Sequence, residues 1–206
     1  MAGSKRQEQA AATQGQLLEA ARTLFTERGF QATSVAAITE AANTAHGTFY
    51  LYFRNKEDVF IQIMASAMEE LYRLTMSHLD PITGGYDAAA ARARIARYLT
   101  TAESHGRLLR ALLEAILVNP TVEATWLDLR GRFQDAIAER LRAYQAMGEF
   151  EGRNPDLVAG ALVGMVEWLA FTRASFGVPG GPEATEELID TVTDLWGRGL
   201  GLAAAS

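Results

Sequence analysis

The segment 44–56 combines hydroxyl side chains, one glycine and one lysine at spacings that suit contact with duplex DNA. On a helix with about 100° per residue, Phe49 and Phe53 share one face and Thr48 lies on the opposite face. Gly47 costs a helix about 1 kcal/mol relative to alanine, which indicates that another molecule approaches the backbone there. The phenylalanine face is expected in the protein core, and a glycine at this position could also be incidental.

The residues that follow offer groups for phosphate contact. The hydroxyl groups of Tyr50 and Tyr52 can donate hydrogen bonds to phosphate oxygens. Lys56, at the start of the following helix, adds its ammonium group to the exposed amides and the positive dipole end of that helix. A tyrosine at the end of a short helix is also typical of half-buried packing, so the prediction depends on the whole order of residues.

Three helices would position this segment. Helical periodicity predicts a first helix over 14–28, ended by Gly29 as a C-cap residue, and a third helix over 45–53. A short second helix begins after Thr33 or Ser34, either of which can cap it. Two short helices joined by a tight turn behind a longer helix form the arrangement that places a helix in the major groove.

The rest of the chain is also predicted to be helical. Asn55, with Asp58 three residues later, opens a long helix over 56–79, and a linker follows over 81–87. Five further helices are predicted over 88–101, 104–118, 120–147, 155–176 and 182–200. The predicted fold class is all-α: a three-helix head followed by a bundle of about six longer helices. The predicted domains are 1–55 and 56–206.

Three stretches of the head resemble the DNA-binding signature of the TetR repressor family: Thr33–Ile38, Gly47–Phe53 and Asn55–Asp58, with further similarity over 17–21 and 24–30. The resemblance covers about the first quarter of the chain. It implies an all-helical homodimer with a variable C-terminal ligand domain. Carried over by position, and together with Gly47, it predicts these DNA-binding residues: Thr33, Ser34, Thr44, Ala45, His46, Gly47, Thr48, Tyr50, Leu51, Tyr52 and Lys56.

The charge distribution agrees with a DNA-binding head on a body that does not bind DNA. The chain has a net charge of −6, which by itself argues against a nucleic-acid partner. Residues 1–56 hold six basic and four acidic side chains, a net charge of +2, so the remainder carries −8. A mildly basic head on an acidic body is the distribution expected for such a regulator.

The body is expected to hold a small, largely apolar effector. The predicted ligand-binding residues are Tyr98, Leu109, Leu113, Glu114, Trp126, Phe133, Met165, Glu167, Trp168 and Phe171. Glu114 and Glu167 lie within apolar runs, where a buried carboxylate needs a partner. The alternatives for each are a solvent-facing position or a structural pair with an arginine such as Arg110 or Arg130.

The last two helices are expected to form a homodimer seam. The run 157–171 is apolar almost all round, so it must be covered on both sides. The predicted interface residues are Leu157, Ala161, Gly164, Leu188, Val192, Leu195 and Trp196. The alternative is that both helices are core of a single chain.

Enzymatic function is not expected. The chain has no cysteine, no G-x-S-x-G or H-E-x-x-H motif, and its three histidines lack metal-ligand spacing, so no catalytic residue, metal or cofactor is predicted. No signal peptide or membrane span is predicted, and the expected location is the bacterial cytoplasm. The predicted function is a ligand-responsive repressor that binds palindromic operator DNA as a dimer and is released by the effector. The alternative is a helical small-molecule carrier or interaction module that does not bind DNA.

The chain departs from the family pattern at four positions. The family commonly has glycine at Asn43, serine at Ala45, arginine or lysine at His46, and a polar residue at Leu51. Recognition should therefore rely less on bidentate arginine–guanine contacts and more on methyl and hydroxyl contacts.

This departure predicts that operator affinity depends on thymine methyl groups at the centre of each half-site. Replacing those thymines by uracil should weaken binding, because uracil keeps the hydrogen-bonding edge and lacks only the methyl group. A titration of both duplexes measures the difference. Equal affinity would contradict the predicted recognition chemistry.

Overall fold

The computed structural model describes residues 2–76, 86–149, 151–176 and 181–200, and the all-α prediction is confirmed over these residues. The described parts contain α1 Ala2–Arg28, α2 Val35–Ala41, α3 His46–Phe49, α4 Lys56–Met76, α5 Ala88–Ser104, α6 Gly106–Val118, α7 Pro120–Ala146, α8 Pro155–Phe176 and α9 Gly181–Gly199. Most of the predicted linker over 81–87, and the predicted end of the long helix at 79, lie outside the described residues.

Two predicted helix boundaries in the head were wrong. The first helix begins at Ala2 rather than at residue 14, because the upstream residues are mostly alanine and unbranched polar types with high helix propensity. The third helix ends at Phe49 rather than Phe53. Beyond it, the amide of Leu51 bonds to the Thr48 carbonyl at 3.2 Å, so the chain continues as tight turns.

The chain divides into two compact units that differ from the predicted domains. Unit 1 comprises Met1–Ala67 and Arg107–Leu127, and unit 2 comprises Met68–Gly106 and Asp128–Ser206. The helices α4 and α7 each contribute residues to both units, whereas α6 contributes only Gly106 to unit 2. Unit 1 therefore contains the three-helix head, α1 to α3, together with most of α6.

Aromatic side chains form the centre of unit 1. The ring centroids of Phe25 and Phe30 each lie within 5 Å of the Phe60 ring, at 4.8 and 4.9 Å. On α1, Leu17, Ala21, Leu24 and Phe25 are all buried and share one face of the helix. Phe49 and Phe53 are also buried, as the face analysis of the third helix predicted.

The turn after α1 is held by two charged side chains. Glu114 of α6 accepts hydrogen bonds from the Phe30 and Gln31 amides at 3.1 and 2.9 Å. Lys56 donates to the Phe30 carbonyl at 2.9 Å, and its Nζ lies 4.4 Å from the Phe30 ring centroid. Gly29 has φ +83°, and a Cβ there would lie 2.5 Å from Glu114 Oε2. We call residues 29–31 the clamped turn.

Unit 2 is built around α5, which packs against α8 and α9. Buried residues of α7 and α8, including Ala138, Leu141 and Ala159, form one cluster of its core with Leu200. Tyr72 stacks on Phe133 with ring centroids 4.2 Å apart. The faces that α7 and α8 turn inward therefore supply most of the apolar interior described below.

We expect Glu114→Gln to lower the free energy of unfolding by about 1–3 kcal/mol, because the variant loses a charged acceptor for two backbone amides. Chemical denaturation measures the change. Glu19→Gln on the exposed side of α1 is the matched control and should shift stability by less than about 0.5 kcal/mol. Equal stability of the two variants would show that the clamped turn does not depend on Glu114.

Candidate nucleic-acid interface and apolar cavity

The connection between α2 and α3 is built as a tight turn. Ser34 caps α2 by accepting a hydrogen bond from the Ala37 amide at 3.2 Å. Asn43 has φ 51°, a left-handed conformation that asparagine adopts more readily than most residues. The Thr44 amide then bonds to the Thr39 carbonyl at 2.9 Å and directs the chain into α3.

The end of α3 exposes an apolar side chain beside an aromatic hydroxyl. Leu51 is 79% exposed and Tyr50 is 54% exposed, whereas Phe49 and Phe53 on the other side are buried. The Tyr50 ring contacts His46 edge-on, with centroids 5.5 Å apart. The buried phenylalanines thus anchor the segment, and Leu51 on the opposite side is left exposed to solvent.

Gly47 faces open space. A Cβ built at this position would meet no atom within 4 Å among the residues that the structure describes. Packing within the chain therefore does not require glycine here.

The structure places most predicted DNA-binding residues at the surface. Exposed or half-buried members are Ser34, Thr44, Ala45, His46, Gly47, Thr48, Tyr50, Leu51, Tyr52 and Lys56. The predicted DNA contact of Thr33 was wrong, because this residue is 1% exposed and its hydroxyl donates to the Gly29 carbonyl at 2.8 Å. That hydroxyl closes the turn after α1, so it is unavailable to phosphate.

Both halves of the chain match family models. Residues 17–63 match the model for bacterial regulatory proteins of the tetR family. Residues 89–195 match the C-terminal domain of AefR-like transcriptional repressors. The chain belongs to the TetR family. It is a transcriptional regulator with a DNA-binding helix-turn-helix. Members of this family bind operator DNA and small-molecule effectors.

Relatives of this TetR-family chain differ in how much of it they cover. The HTH-type transcriptional regulator YhgD of Bacillus subtilis is 34% identical over 65 residues, which span 32% of this chain and only 34% of that protein. The regulator YdgC of the same organism is 29% identical over 74% of this chain and 76% of its own length. A TetR-family regulator structure from Mesorhizobium loti has a TM-score of 0.73, covers 92% of this chain and 96% of its own, and is 18% identical, which establishes similarity of fold.

Unit 2 contains a largely apolar cavity. The space between its lining atoms, including the part open to solvent, is about 770 Å³. Its walls come mainly from α5, α7 and α8, with Trp196 and Leu200 from the chain's last described segment. A concave, mostly apolar space with a few polar groups in its wall is typical of small-molecule sites.

Only Tyr98 and Phe133 of the predicted ligand-binding residues line this cavity. Leu109, Leu113, Glu114 and Trp126 belong to unit 1, and Met165, Glu167, Trp168 and Phe171 belong to unit 2 without lining it. The prediction missed six polar or amphipathic lining residues: Thr75, Tyr86, Arg94, Arg140, Tyr144 and Trp196. The sequence pattern could have placed Arg94 on the inward face of α5, because it lies one helical turn from Ala91 and from Tyr98, which are both buried.

Glu167 is held as a structural pair, as one of the sequence alternatives proposed. Arg130 Nε donates to its carboxylate at 2.7 Å, and the Tyr72 hydroxyl donates at 3.2 Å. Burial raises the pKa of Glu167, and the hydrogen bond and charge of Arg130 oppose that rise. Burial, followed by the Glu167 charge, raises the pKa of Tyr72. The carboxylate therefore holds neighbouring helices together, whereas Glu114 serves the clamped turn.

The predicted dimer residues fall into two groups. Leu157, Ala161 and Leu195 are exposed, and Gly164 and Leu188 are half-buried. The predicted interface position of Val192 was wrong, because this residue is 2% exposed within the single chain. Trp196, also predicted at the interface, lines the cavity.

The helix α8 is long and apolar enough to cross a membrane by length and composition alone, and 28% of that apolar window is buried.

We expect Gly47→Ala to raise the free energy of unfolding by up to about 1 kcal/mol, because the added methyl group meets open space in the free chain. If Gly47 faces the operator, as the sequence predicts, the same methyl group should lower operator affinity. Gly131→Ala in α7 is the matched control, since a Cβ there also meets open space among the described residues. It should gain stability without a change in affinity. Equal operator affinity of the two variants would assign Gly47 no role at the interface.

Proposed function

We propose that this TetR-family regulator is a repressor that binds palindromic operator DNA as a homodimer and is released by a small, largely apolar effector. The exposed Leu51 in the turn after α3, opposite the buried Phe49 and Phe53, is the observation that carries the DNA-binding part. An apolar side chain so placed is stabilised when it meets thymine methyl groups in the major groove.

Polar groups around Leu51 would orient the head on the duplex. Ser34 and Thr48 would contact phosphate oxygens through their hydroxyl groups, which set register without reading sequence. Lys56 would bind the backbone near its helix terminus, although its ammonium group also serves the clamped turn. The exposed basic residues Arg28 and Arg54 add positive charge to this part of the chain.

Homodimerisation would use the exposed apolar side of α8. Leu157 and Trp168 are 73% and 62% exposed, and Leu195 on α9 is also exposed. Large apolar side chains at helical spacing on a mostly unburied helix favour a partner helix. A two-fold dimer would present two heads to half-sites about 34–36 Å apart.

Release would be a shift between two populations of the protein. The helix α4 contributes residues to both compact units, and α6 begins at Gly106 of unit 2 and carries the Glu114 that holds the clamped turn. An effector that prefers one arrangement of these helices would change how the head presents α3. A change from nearly all bound to nearly all released needs about 5.5 kcal/mol of differential affinity.

An electrophoretic shift with the DNA upstream of the protein's own gene tests the proposal. Leu51→Ala should weaken specific binding about tenfold or more, because it removes apolar base contact. Leu117→Ala is the matched control, since Leu117 is 84% exposed on α6, and its affinity should equal that of the parent protein.

Two outcomes of this experiment would overturn parts of the proposal. Absence of any shifted complex would favour the carrier or interaction module. A duplex with one half-site should bind far more weakly than the palindrome, and equal binding of both duplexes would contradict the dimeric reading mode.

A further inference from the structure

The polar groups of the unit 2 cavity are arginines and hydrogen-bond donors. Arg94 and Arg140 both line it, together with Tyr86, Tyr144 and Trp196. The remainder of the wall is apolar, formed by residues that include Ile95, Phe133, Leu162 and Val166. A cavity with this composition has a positively charged region within an otherwise apolar wall.

The two arginines are close enough to influence each other. Burial lowers the pKa of Arg94, and the charge of Arg140 lowers it further. The charged groups that face Arg94 are Arg140 and Asp87, with the hydroxyls of Tyr86 and Tyr144 nearby. Asp87 is committed to capping α5, since its carboxylate accepts the Ala90 amide at 3.0 Å.

Arg94 differs from Arg130 and Arg173, two other partly buried arginines of unit 2. Arg130 pairs with Glu167 at 2.7 Å, and Arg173 pairs with Glu103 at 3.2 Å. Arg94 makes no ion pair with a carboxylate among the residues that the structure describes. Partial burial of a guanidinium without an anionic partner is unfavourable, so a bound anion would stabilise this arrangement.

Two further donors in the same wall lack acceptors. The Tyr86 hydroxyl and Trp196 Nε1 are sealed from solvent and have no hydrogen-bond partner within the described part of the chain. Leaving a buried donor unsatisfied costs about 1–3 kcal/mol. The Tyr86 backbone amide donates to the Glu149 carboxylate at 2.9 Å, so only the side-chain hydroxyl of Tyr86 lacks a hydrogen-bond partner within the described residues.

We propose that the effector is an amphiphilic anion, whose head group binds Arg94 and Arg140 with the Tyr86 and Trp196 donors and whose apolar body fills the rest of the cavity. This inference rests on the proposed function, which it narrows from an apolar effector to an acidic one. Guanidinium groups bind carboxylate and phosphate through paired, charge-assisted hydrogen bonds, so both head groups share the required chemistry.

Titration calorimetry of the full-length protein with a matched eight-carbon series tests the proposal. The probes are octanoate, octyl phosphate, octan-1-ol and octylamine. At least one anion should bind about tenfold or more tightly than the alcohol, because hydrogen bonds to charged groups exceed neutral ones. The preferred anion distinguishes a carboxylic acid from a phosphate ester. Equal binding of alcohol and anions, or preference for the amine, would overturn the inference.

Variants assign the head-group site. Arg94→Met should lose about tenfold in anion affinity and leave alcohol affinity unchanged. Arg92→Met is the matched control, because Arg92 pairs with Glu186 and Asp190 and does not line the cavity. Tyr86→Phe removes one donor and keeps the ring, and Trp196→Phe removes one donor and keeps a smaller aromatic ring, so they test the site if Arg94→Met folds poorly. Unchanged anion affinity in these variants would place the anion elsewhere.

The two proposals fail separately. Operator binding is measured without ligand, so loss of the anion preference leaves the DNA-binding assignment intact. Adding the preferred anion to the operator complex should release the DNA. Tight anion binding without release would support the acidic effector site and contradict the proposed induction.

Discussion

The three-helix head depends on how the peptide groups of the clamped turn are satisfied. A helix end leaves backbone groups without intrahelical partners, and α1 ends at Gly29 in a left-handed conformation. The Glu114 carboxylate accepts the next two amides, and the Lys56 ammonium group binds the next two carbonyls. Opposite charges thus hold the two polar edges of one turn, which joins α1 and α4 to α6 within unit 1.

The cavity of unit 2 presents the opposite electrostatic situation. Glu167 lies in an apolar helix, but Arg130 and Tyr72 satisfy its carboxylate, so this buried charge contributes to structure. Arg94 is partly buried without a comparable carboxylate partner in the described chain. The contrast separates a charge that the fold compensates from one that suits a ligand.

Local features were predictable wherever they depend on neighbours in the chain. The capping role of Ser34 and the Asn55–Asp58 capping interaction followed from residue type and spacing. The start of α1 and the end of α3 were not predicted well, because helix ends depend on small differences in propensity and on caps that compete. Ligand residues were predicted least well, since apolar periodicity does not distinguish a cavity wall from a core or an interface.

The sequence by itself determined the all-helical fold, the family and the outward side of α3, because periodicity, capping residues and short-range order are encoded in adjacent positions. The tertiary structure decided the partners of the charged side chains. Glu114 accepts hydrogen bonds from residues more than 80 positions away in the chain, and the charge of Arg140 on α7 acts on Arg94 of α5. Such long-range pairings depend on how helices pack, and packing is not expressed in the spacing along any single helix.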